Sequence, residues 1–82
     1  MRVNVVGYNK VDYQKDGDNR SFYKFFVCEK SHSDRISFGV RCAEVLASTN
    51  YAENKILPAI ANDASLAVGW DKDRKSFLYI AE

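Results

Sequence analysis

The feature that most constrains this chain is its N-terminal third, where two β-rich arms flank a turn cluster centred on Asp16-Gly17. The arms span about residues 2–13 and 20–30, and more than half of the chain's aromatic residues lie within them. An Asp-Gly turn between alternating apolar runs is the local signal of a β-hairpin. The fold is therefore expected to be built around this hairpin.

The alternation within the two arms predicts which side chains share a face of the sheet. In the first arm, Val3 and Val5 share one face, Val6, Tyr8 and Lys10 share the other, and Gly7 marks a bend or bulge. In the second arm both faces are apolar, which favours a central strand or one whose second face has a partner. One of these faces carries Tyr23, Phe25 and Val27, and the other carries Phe22, Lys24, Phe26 and Cys28.

The rest of the chain predicts three further strands and an ambiguous connection. Residues 31–34 read as a turn, and a third strand is expected from Arg35, with Ile36, Phe38, Val40 and Cys42 alternating along it. Residues 42–62 fit either a helical stripe or a strand that runs on to Leu46. A capping-box pattern at 50–53 predicts a short helix from Tyr51, which Pro58 would end or kink near Leu57.

The last two strands are expected at residues 65–70 and 75–80, on either side of a polar turn. Three strands, a connection with a little helix and a closing hairpin form the element order of an OB-type barrel. We therefore expect a mainly β fold, a small five-stranded antiparallel OB-like barrel with a short helix between strands three and four. The 82 residues leave room for one domain, so the domain is taken as 1–82.

Composition sets limits on partners and location. The formal net charge of +1 gives no global attraction to nucleic acid, although it permits a local basic stripe. Cys28 and Cys42 lie inside apolar alternation and are expected to be reduced core thiols. The first residues alternate as a strand and do not resemble a signal peptide, and no apolar run is long enough to cross a membrane. The expectation is a cytoplasmic protein without a membrane segment.

Catalytic and metal-binding patterns are weak in this sequence. His32 is the single histidine, and its neighbours are turn residues rather than a nucleophile elbow. The four glycines are scattered and do not form a phosphate-cradling loop. We expect no enzyme activity, no cofactor and no metal site.

Aromatic residues interleaved with Lys and Arg on a sheet indicate binding of single-stranded nucleic acid, because bases stack on rings and phosphates attract cations. Tyr8, Lys10, Lys24 and Phe26 are expected on neighbouring positions of paired strands, with Arg41 joining them from strand three. The full candidate nucleic-acid-binding set is Tyr8, Lys10, Tyr13, Arg20, Lys24, Phe26 and Arg41. The alternative is that these aromatics serve the fold, with Phe22, Phe25 and Phe38 in the core and Tyr8 packed at a barrel edge.

The opening residues 5–13, with the sequence Val-Val-Gly-Tyr-Asn-Lys-Val-Asp-Tyr, and the closing strand–turn–strand resemble small single-stranded DNA-binding proteins of phages and mobile elements, the filamentous-phage type among them. The resemblance covers the two ends and the overall layout. It implies an OB-like, dimeric protein without catalysis. The chain departs from these proteins in its low net charge and in the Ala- and Asn-rich stretch at 47–64.

The function expected from these observations is sequence-nonspecific binding of single-stranded DNA by a homodimer, in phage or mobile-element DNA replication. The rival is a protein–protein interaction module of a phage or mobile element, which would use the same hairpin for a replication or phage protein partner. The two hypotheses differ in where the basic side chains point. Convergence of Lys10, Lys24 and Arg41 beside an exposed aromatic favours nucleic acid, and a neutral apolar face favours a protein.

Overall fold

The structure is a computed structural model that describes residues 2–30, 37–73 and 75–81. Its strands are β1 (Arg2–Lys15), β2 (Asp18–Glu29), β3 (Cys42–Ser48), β4 (Leu66–Trp70) and β5 (Ser76–Ile80). They form one antiparallel sheet in the order β3-β2-β1-β4-β5. The prediction of a mainly β fold with a five-stranded antiparallel sheet is confirmed.

The β1–β2 hairpin is the longest feature of the molecule. Asp16 and Gly17 both have positive φ angles, 53° and 82°, which is the backbone that a two-residue hairpin turn requires. The ladder continues from this turn to the pair Val3–Glu29, whereas β3 pairs with β2 only as far as Phe22. The tip of the hairpin therefore projects beyond the remaining sheet, in agreement with overall dimensions of 47 × 27 × 24 Å.

A β-bulge in β1 changes which side chains face the core. The register shifts between Val5 and Gly7, so that Val5 pairs with Val27 and Tyr8 pairs with Phe25. Because a bulge adds one residue to one strand, every side chain after it moves to the opposite face of the sheet. The predicted bulge at Gly7 is confirmed, but the predicted faces are wrong after it. Tyr8 lies on the same face as Val3 and Val5.

The third strand begins later than the sequence predicts. Residues 37–41 lie outside the sheet and are exposed, and β3 is formed by Cys42–Ser48. The start predicted at residues 35 and 36, and the turn predicted at 31–34, lie outside the described residues. Phe38, expected in the core under the alternative interpretation, is 92% exposed. The β2 core face instead pairs with small and branched residues of β3, namely Ala43, Val45 and Ala47.

One helical segment follows β3. It comprises α1 (Thr49–Tyr51), a widened π-type turn over Ala52–Ile56 and α2 (Leu57–Ala61). The predicted start at Tyr51 is wrong, because the Ser48 side chain accepts a hydrogen bond from the Tyr51 N–H at 3.3 Å and caps the segment earlier.

The segment also continues past Pro58, which was expected to end or kink it near Leu57. In the widened turn, the Leu57 N–H donates to the Ala52 carbonyl, five residues back. Pro58 occupies the start of α2, where a missing N–H is tolerated.

The core lies between the inner face of the sheet and the helical segment. Tyr23, Phe25 and Val27 line the centre of this face on β2. The other buried members of the core cluster are Val3, Val45, Ala52, Ile56, Ala59, Leu66, Val68 and Leu78. Hydrogen bonds tie the segment to the sheet between Ser21 and Thr49, from Tyr23 to Glu53 and from Tyr51 to the Leu78 carbonyl. The sheet is curved enough for its two edge strands, β3 and β5, to approach each other.

The two cysteines are joined, which contradicts the prediction of reduced core thiols. Cys28 and Cys42 occupy directly opposite positions of β2 and β3, with 4.0 Å between their Cα atoms, and form a disulfide. Cys42 is exposed and Cys28 is half-buried. The prediction failed because a strand beginning at residue 35 would not place Cys42 beside Cys28. None of the helices in the described part of the chain has the length and apolar character of a membrane-spanning helix.

Candidate nucleic-acid interface

The candidate interface lies on the outer face of the sheet, the face opposite the core. Directly opposite residues of antiparallel strands point to the same side. The pairs Phe22–Ser48, Lys24–Leu46 and Phe26–Glu44 alternate with the buried pairs of β2 and β3 and therefore face outward. These three pairs present an aromatic and aliphatic surface that carries Lys24 and Glu44.

A groove crosses this face where β5 approaches β3. It has a volume of about 760 Å³ and is lined by Phe22, Lys24, Glu44, Leu46, Lys75 and Ser76. We call it the β2–β3 groove. Leu46 is 55% exposed and Phe22 is half-buried, so an apolar surface is accessible along it. Lys75 lies in the β4–β5 connection and Ser76 is the first residue of β5, so the groove is lined by residues of β2, β3 and the start of β5.

The hairpin arm extends the aromatic surface toward the Asp16-Gly17 turn. The Tyr13 ring meets the Phe22 ring edge to face, with 5.7 Å between their centroids. Tyr13 is directly opposite Arg20, and both line a second open pocket of about 450 Å³ in the arm. Phe22 therefore lies between the two concave regions, with Arg20 on the side of the hairpin turn and Lys24 on the side of the groove.

The charge of the groove is nearly balanced. The Lys24 ammonium lies 3.8 Å from the Glu44 carboxylate, and both side chains retain contact with solvent. At that separation two unit charges attract by about 1 kcal/mol in water, and a surface pair is worth about 0.2–1 kcal/mol net. An incoming phosphate must therefore compete with Glu44 for Lys24.

The structure does not bring all the predicted site residues together. Tyr13, Arg20, Lys24 and Phe26 lie on the outer face, whereas Tyr8 and Lys10 lie on the core side of the sheet. The bulge is the cause: the Tyr8 ring contacts the rings of Tyr23 and Phe25, at 5.8–6.1 Å between centroids.

Phe26 lies toward the other end of the outer face, and Arg41 lies outside the strands. The Phe26 ring faces Gly7 across the strand pair, where a Cβ would be 3.6 Å from the Phe26 Cδ2 atom. Arg41 is exposed just before β3, and its carbonyl accepts a hydrogen bond from the Glu29 N–H at 2.8 Å. Lys10, Lys24 and Arg41 therefore do not converge.

Sequence reasoning missed Phe22, Glu44, Leu46 and Lys75 as members of the groove. Phe22 was assigned to the core by the alternative interpretation, and Leu46 lay in the ambiguous stretch. The signal that identifies Phe22 is its period-2 relation to Lys24 and Phe26 on the same strand face. Lys75 is brought to the groove by the approach of β5 to β3, which no local pattern encodes.

The core side of the sheet holds Tyr23, whose pKa is raised above the ordinary tyrosine value. The hydrogen bond from the Tyr23 hydroxyl to the Glu53 carboxylate, 2.9 Å long, raises the pKa of Tyr23, and burial adds to it. The carboxylate favours the neutral phenol, which can donate, over the phenolate. This pair attaches the helical segment to β2 and lies away from the groove.

Within residues 2–30, 37–73 and 75–81 no three His, Cys, Asp or Glu side chains are grouped as metal ligands. No protein-family model, curated protein or solved structure matches the chain. The functional interpretation therefore depends on the groove itself.

Proposed function

We propose that this protein binds single-stranded DNA without strong sequence preference, and that the β2–β3 groove and the outer face of the hairpin arm hold the strand. The observation that carries the proposal is the continuous surface from Arg20 through Tyr13 and Phe22 to Lys24 and Lys75. Aromatic rings offer stacking faces that every base can use, at about 1–3 kcal/mol per stacked base.

The cations on this surface suit a backbone that runs beside the stacked bases. Arg20 lies at one end, Lys24 in the middle and Lys75 on the opposite wall of the groove. Single strands release about 0.7 counterions per neutralised phosphate, so three contacts would give a logarithmic salt slope of about −2. A shallow slope of this size agrees with the formal net charge of +1.

The proposed fold for this activity is an OB-like barrel. Its support is the strand order β3-β2-β1-β4-β5, the approach of β3 to β5 and the helical segment between β3 and β4. OB-type proteins bind oligonucleotides on the face of strands 2 and 3, flanked by the loops after strands 1 and 4. The β2–β3 groove occupies the corresponding position on this sheet.

We further propose that the protein acts as a homodimer during the DNA replication of a phage or mobile element in the cytoplasm. The support for a dimer is the exposed apolar surface, with Val6 at 67% and Trp70 at 58% exposure in a small chain. The support for the replication role is the resemblance of the two chain ends to phage single-stranded DNA-binding proteins. Light scattering at high micromolar concentration tests the dimer, and a monomer alone would contradict it.

The experiment that tests the binding site compares two tyrosines of closely matched surroundings. Tyr13 is 41% exposed and meets Phe22 at 5.7 Å; Tyr79 is 39% exposed and meets Phe77 at 5.8 Å. Tyr79 does not line the groove. Tyr13→Ala should weaken oligo-dT binding by about 1–3 kcal/mol, and Tyr79→Ala should leave it within about twofold.

Each variant in this comparison is checked for its fold by circular dichroism and for its oligomeric state by light scattering. Equal losses in the two variants would contradict the groove as the binding site. Binding that is unchanged by Tyr13→Ala in a folded protein would contradict the stacking role of the arm.

The second candidate function is a protein–protein interaction module. It is favoured because Lys10, Lys24 and Arg41 do not converge on one face, and because the exposure of Leu46 and the partial neutralisation of Lys24 by Glu44 make the centre of the groove apolar and nearly neutral. Titration of the wild-type protein distinguishes the two functions, because a groove that binds only a protein would show no binding of oligo-dT at low salt.

A further inference from the structure

One edge of the hairpin arm lies without a neighbouring strand in the described part of the chain. On one side, β1 pairs with β2 from Val3 to Lys15. On the other side it pairs with β4, and among the described strands this pairing covers Arg2 and Val3 alone. We call the remaining stretch, residues 8–14, the β1 edge. A strand edge of this kind is a template on which another strand can pair.

The hairpin turn determines which backbone groups point toward the β1 edge. Lys15 and Asp18 flank the two-residue turn and lie directly opposite each other. The residues that flank such a turn form a hydrogen-bonded pair. Because hydrogen-bonded and non-hydrogen-bonded pairs alternate along an antiparallel ladder, residues 9, 11 and 13 bond to β2. The N–H and C=O groups that point away from β2 therefore belong to Tyr8, Lys10, Asp12 and Gln14.

The charges on the β1 edge fit a second copy of the same chain. Edge strands often carry lysine, because the same charge on a neighbouring strand repels it. Here Asp12 follows Lys10 by two residues and shares its face of the sheet. Both side chains are exposed, and neither forms an ion pair with another described residue. Two antiparallel copies of this strand can therefore match each lysine with the other copy's aspartate.

We propose that two copies of this chain dimerise by antiparallel pairing of their β1 edges about a twofold axis at Val11. The proposal rests on the homodimer of the proposed function and names its interface. In this register Lys10 lies opposite the partner subunit's Asp12, and the symmetry repeats the pair. Registers centred on Lys10 or on Asp12 would place like charges directly opposite each other, which is destabilising.

The backbone also fits this register. Residue 8 meets residue 14 of the partner and residue 10 meets residue 12, so the edge-pointing N–H and C=O groups of the two strands face each other as hydrogen-bonded pairs. The partner's turn would reach Val6, which is 67% exposed at the bulge. The turn therefore stops short of Arg2 and Val3, where β4 pairs with β1.

The pairing would join the two candidate DNA surfaces. A twofold axis normal to the sheet keeps the outer faces of both copies on the same side. Tyr13 then lies opposite the partner's Asn9, so the outer face of one arm continues into the outer face of the other. A DNA strand would meet Tyr13, Phe22 and Arg20 of both copies on one continuous sheet.

Charge reversal tests the proposed pairs, with the dimer Kd measured by sedimentation equilibrium on variants whose fold is checked by circular dichroism. Lys10→Glu should weaken the dimer about tenfold or more, because both symmetry-related pairs change from attraction to repulsion. Lys10→Glu/Asp12→Lys should restore the Kd to within about threefold of the wild type. Lys15→Glu is the matched control: it makes the same charge change opposite the partner's Gly7 and should alter the Kd by about twofold at most.

Cysteine cross-linking tests the register. Val11 bonds to β2, so it would form a non-hydrogen-bonded pair with the partner's Val11, with about 4.5 Å between the Cα atoms. That distance suits a disulfide, and Val11→Cys should give a covalent dimer in air-oxidised protein, mapped by mass spectrometry. Asn9→Cys is the control on the same face of the same strand. Its two copies would lie about 13 Å apart along the strand and should not cross-link.

The outcomes separate this interface from the dimer itself. A dimeric wild type whose Kd is unchanged by Lys10→Glu would overturn the β1 edge as the interface, as would equal cross-linking of Val11→Cys and Asn9→Cys. A wild type that stays monomeric at high micromolar concentration would refute the homodimer and this interface with it. Titration of the same protein with oligo-dT tests DNA binding independently of both.

Discussion

Glu44→Gln is predicted to tighten DNA binding, which is the opposite of what most substitutions in a binding site do. The Glu44 carboxylate lies 3.8 Å from the Lys24 ammonium in the centre of the β2–β3 groove. Glutamine keeps the size of the side chain and removes its charge. The substitution therefore frees Lys24 for a phosphate and removes the repulsion between that phosphate and the carboxylate.

The magnitude follows from these two contributions. Release of an exposed ion pair is worth about 0.2–1 kcal/mol, and a repulsion between unit charges about 4 Å apart in water is worth about 1 kcal/mol at most. Because solvent screens both side chains, we expect a gain of about 0.5–1.5 kcal/mol, or roughly twofold to tenfold in Kd.

The control for this prediction is Asp63→Asn, which makes the same change in net charge away from the groove. Asp63 has a φ of 56°, and asparagine tolerates this left-handed backbone. Fluorescence anisotropy with oligo-dT at several salt concentrations measures both variants. Equal tightening by the two would show that only the overall charge matters, and no tightening by Glu44→Gln would refute the placement of the strand beside Lys24.

Three further predictions concern the fold. Phe25→Ala should lower the free energy of unfolding in urea by about 3–5 kcal/mol, because the ring is fully buried; a loss below 1 kcal/mol would contradict the described core. Gly69→Ala should cost about 0.5–1.5 kcal/mol, because the new Cβ would lie 2.8 Å from the far end of the exposed Phe77 ring and force that ring off its rotamer, and Phe77→Ala should remove most of that cost in a double-mutant cycle. Because the pKa of Tyr23 is raised in the folded state, its hydrogen bond to Glu53 stabilises the fold fully below the ordinary tyrosine pKa of about 10, and this stabilisation is lost as the pH rises through the pKa of the folded state. Tyr23→Phe should therefore show a smaller fall in the urea midpoint between pH 9 and 11 than the wild type. Equal falls in the two proteins would contradict the hydrogen bond to Glu53.

The sequence predicted the parts of the fold that local chemistry determines. The Asp16-Gly17 turn and the bulge at Gly7 follow from the backbone freedom of those residues, and the structure has both. The effect of the bulge on the following residues could not be read from the alternation. An extra residue inverts the faces downstream, and this moved Tyr8 and Lys10 from the predicted interface to the core side.

The remaining errors arose where tertiary pairing overrides a local pattern. The strict alternation of Ile36, Phe38, Val40 and Cys42 predicted a strand, but β2 pairs with Cys42–Ser48 instead. The alternation of Ala43, Val45 and Ala47 predicts a strand only weakly. These residues form β3 because they pair with the core-facing residues of β2. The disulfide and the β2–β3 groove both follow from this register, so neither was predictable before β3 was placed.

The most direct test of the central claim is a titration of the wild-type protein against fluorescein-labelled oligo-dT at 50 and 200 mM salt. We expect saturable binding at the lower salt concentration and weaker binding at the higher, with a logarithmic slope of about −2 from Arg20, Lys24 and Lys75. Absence of detectable binding at 50 mM salt would contradict single-stranded DNA binding and leave a protein-interaction role for the groove.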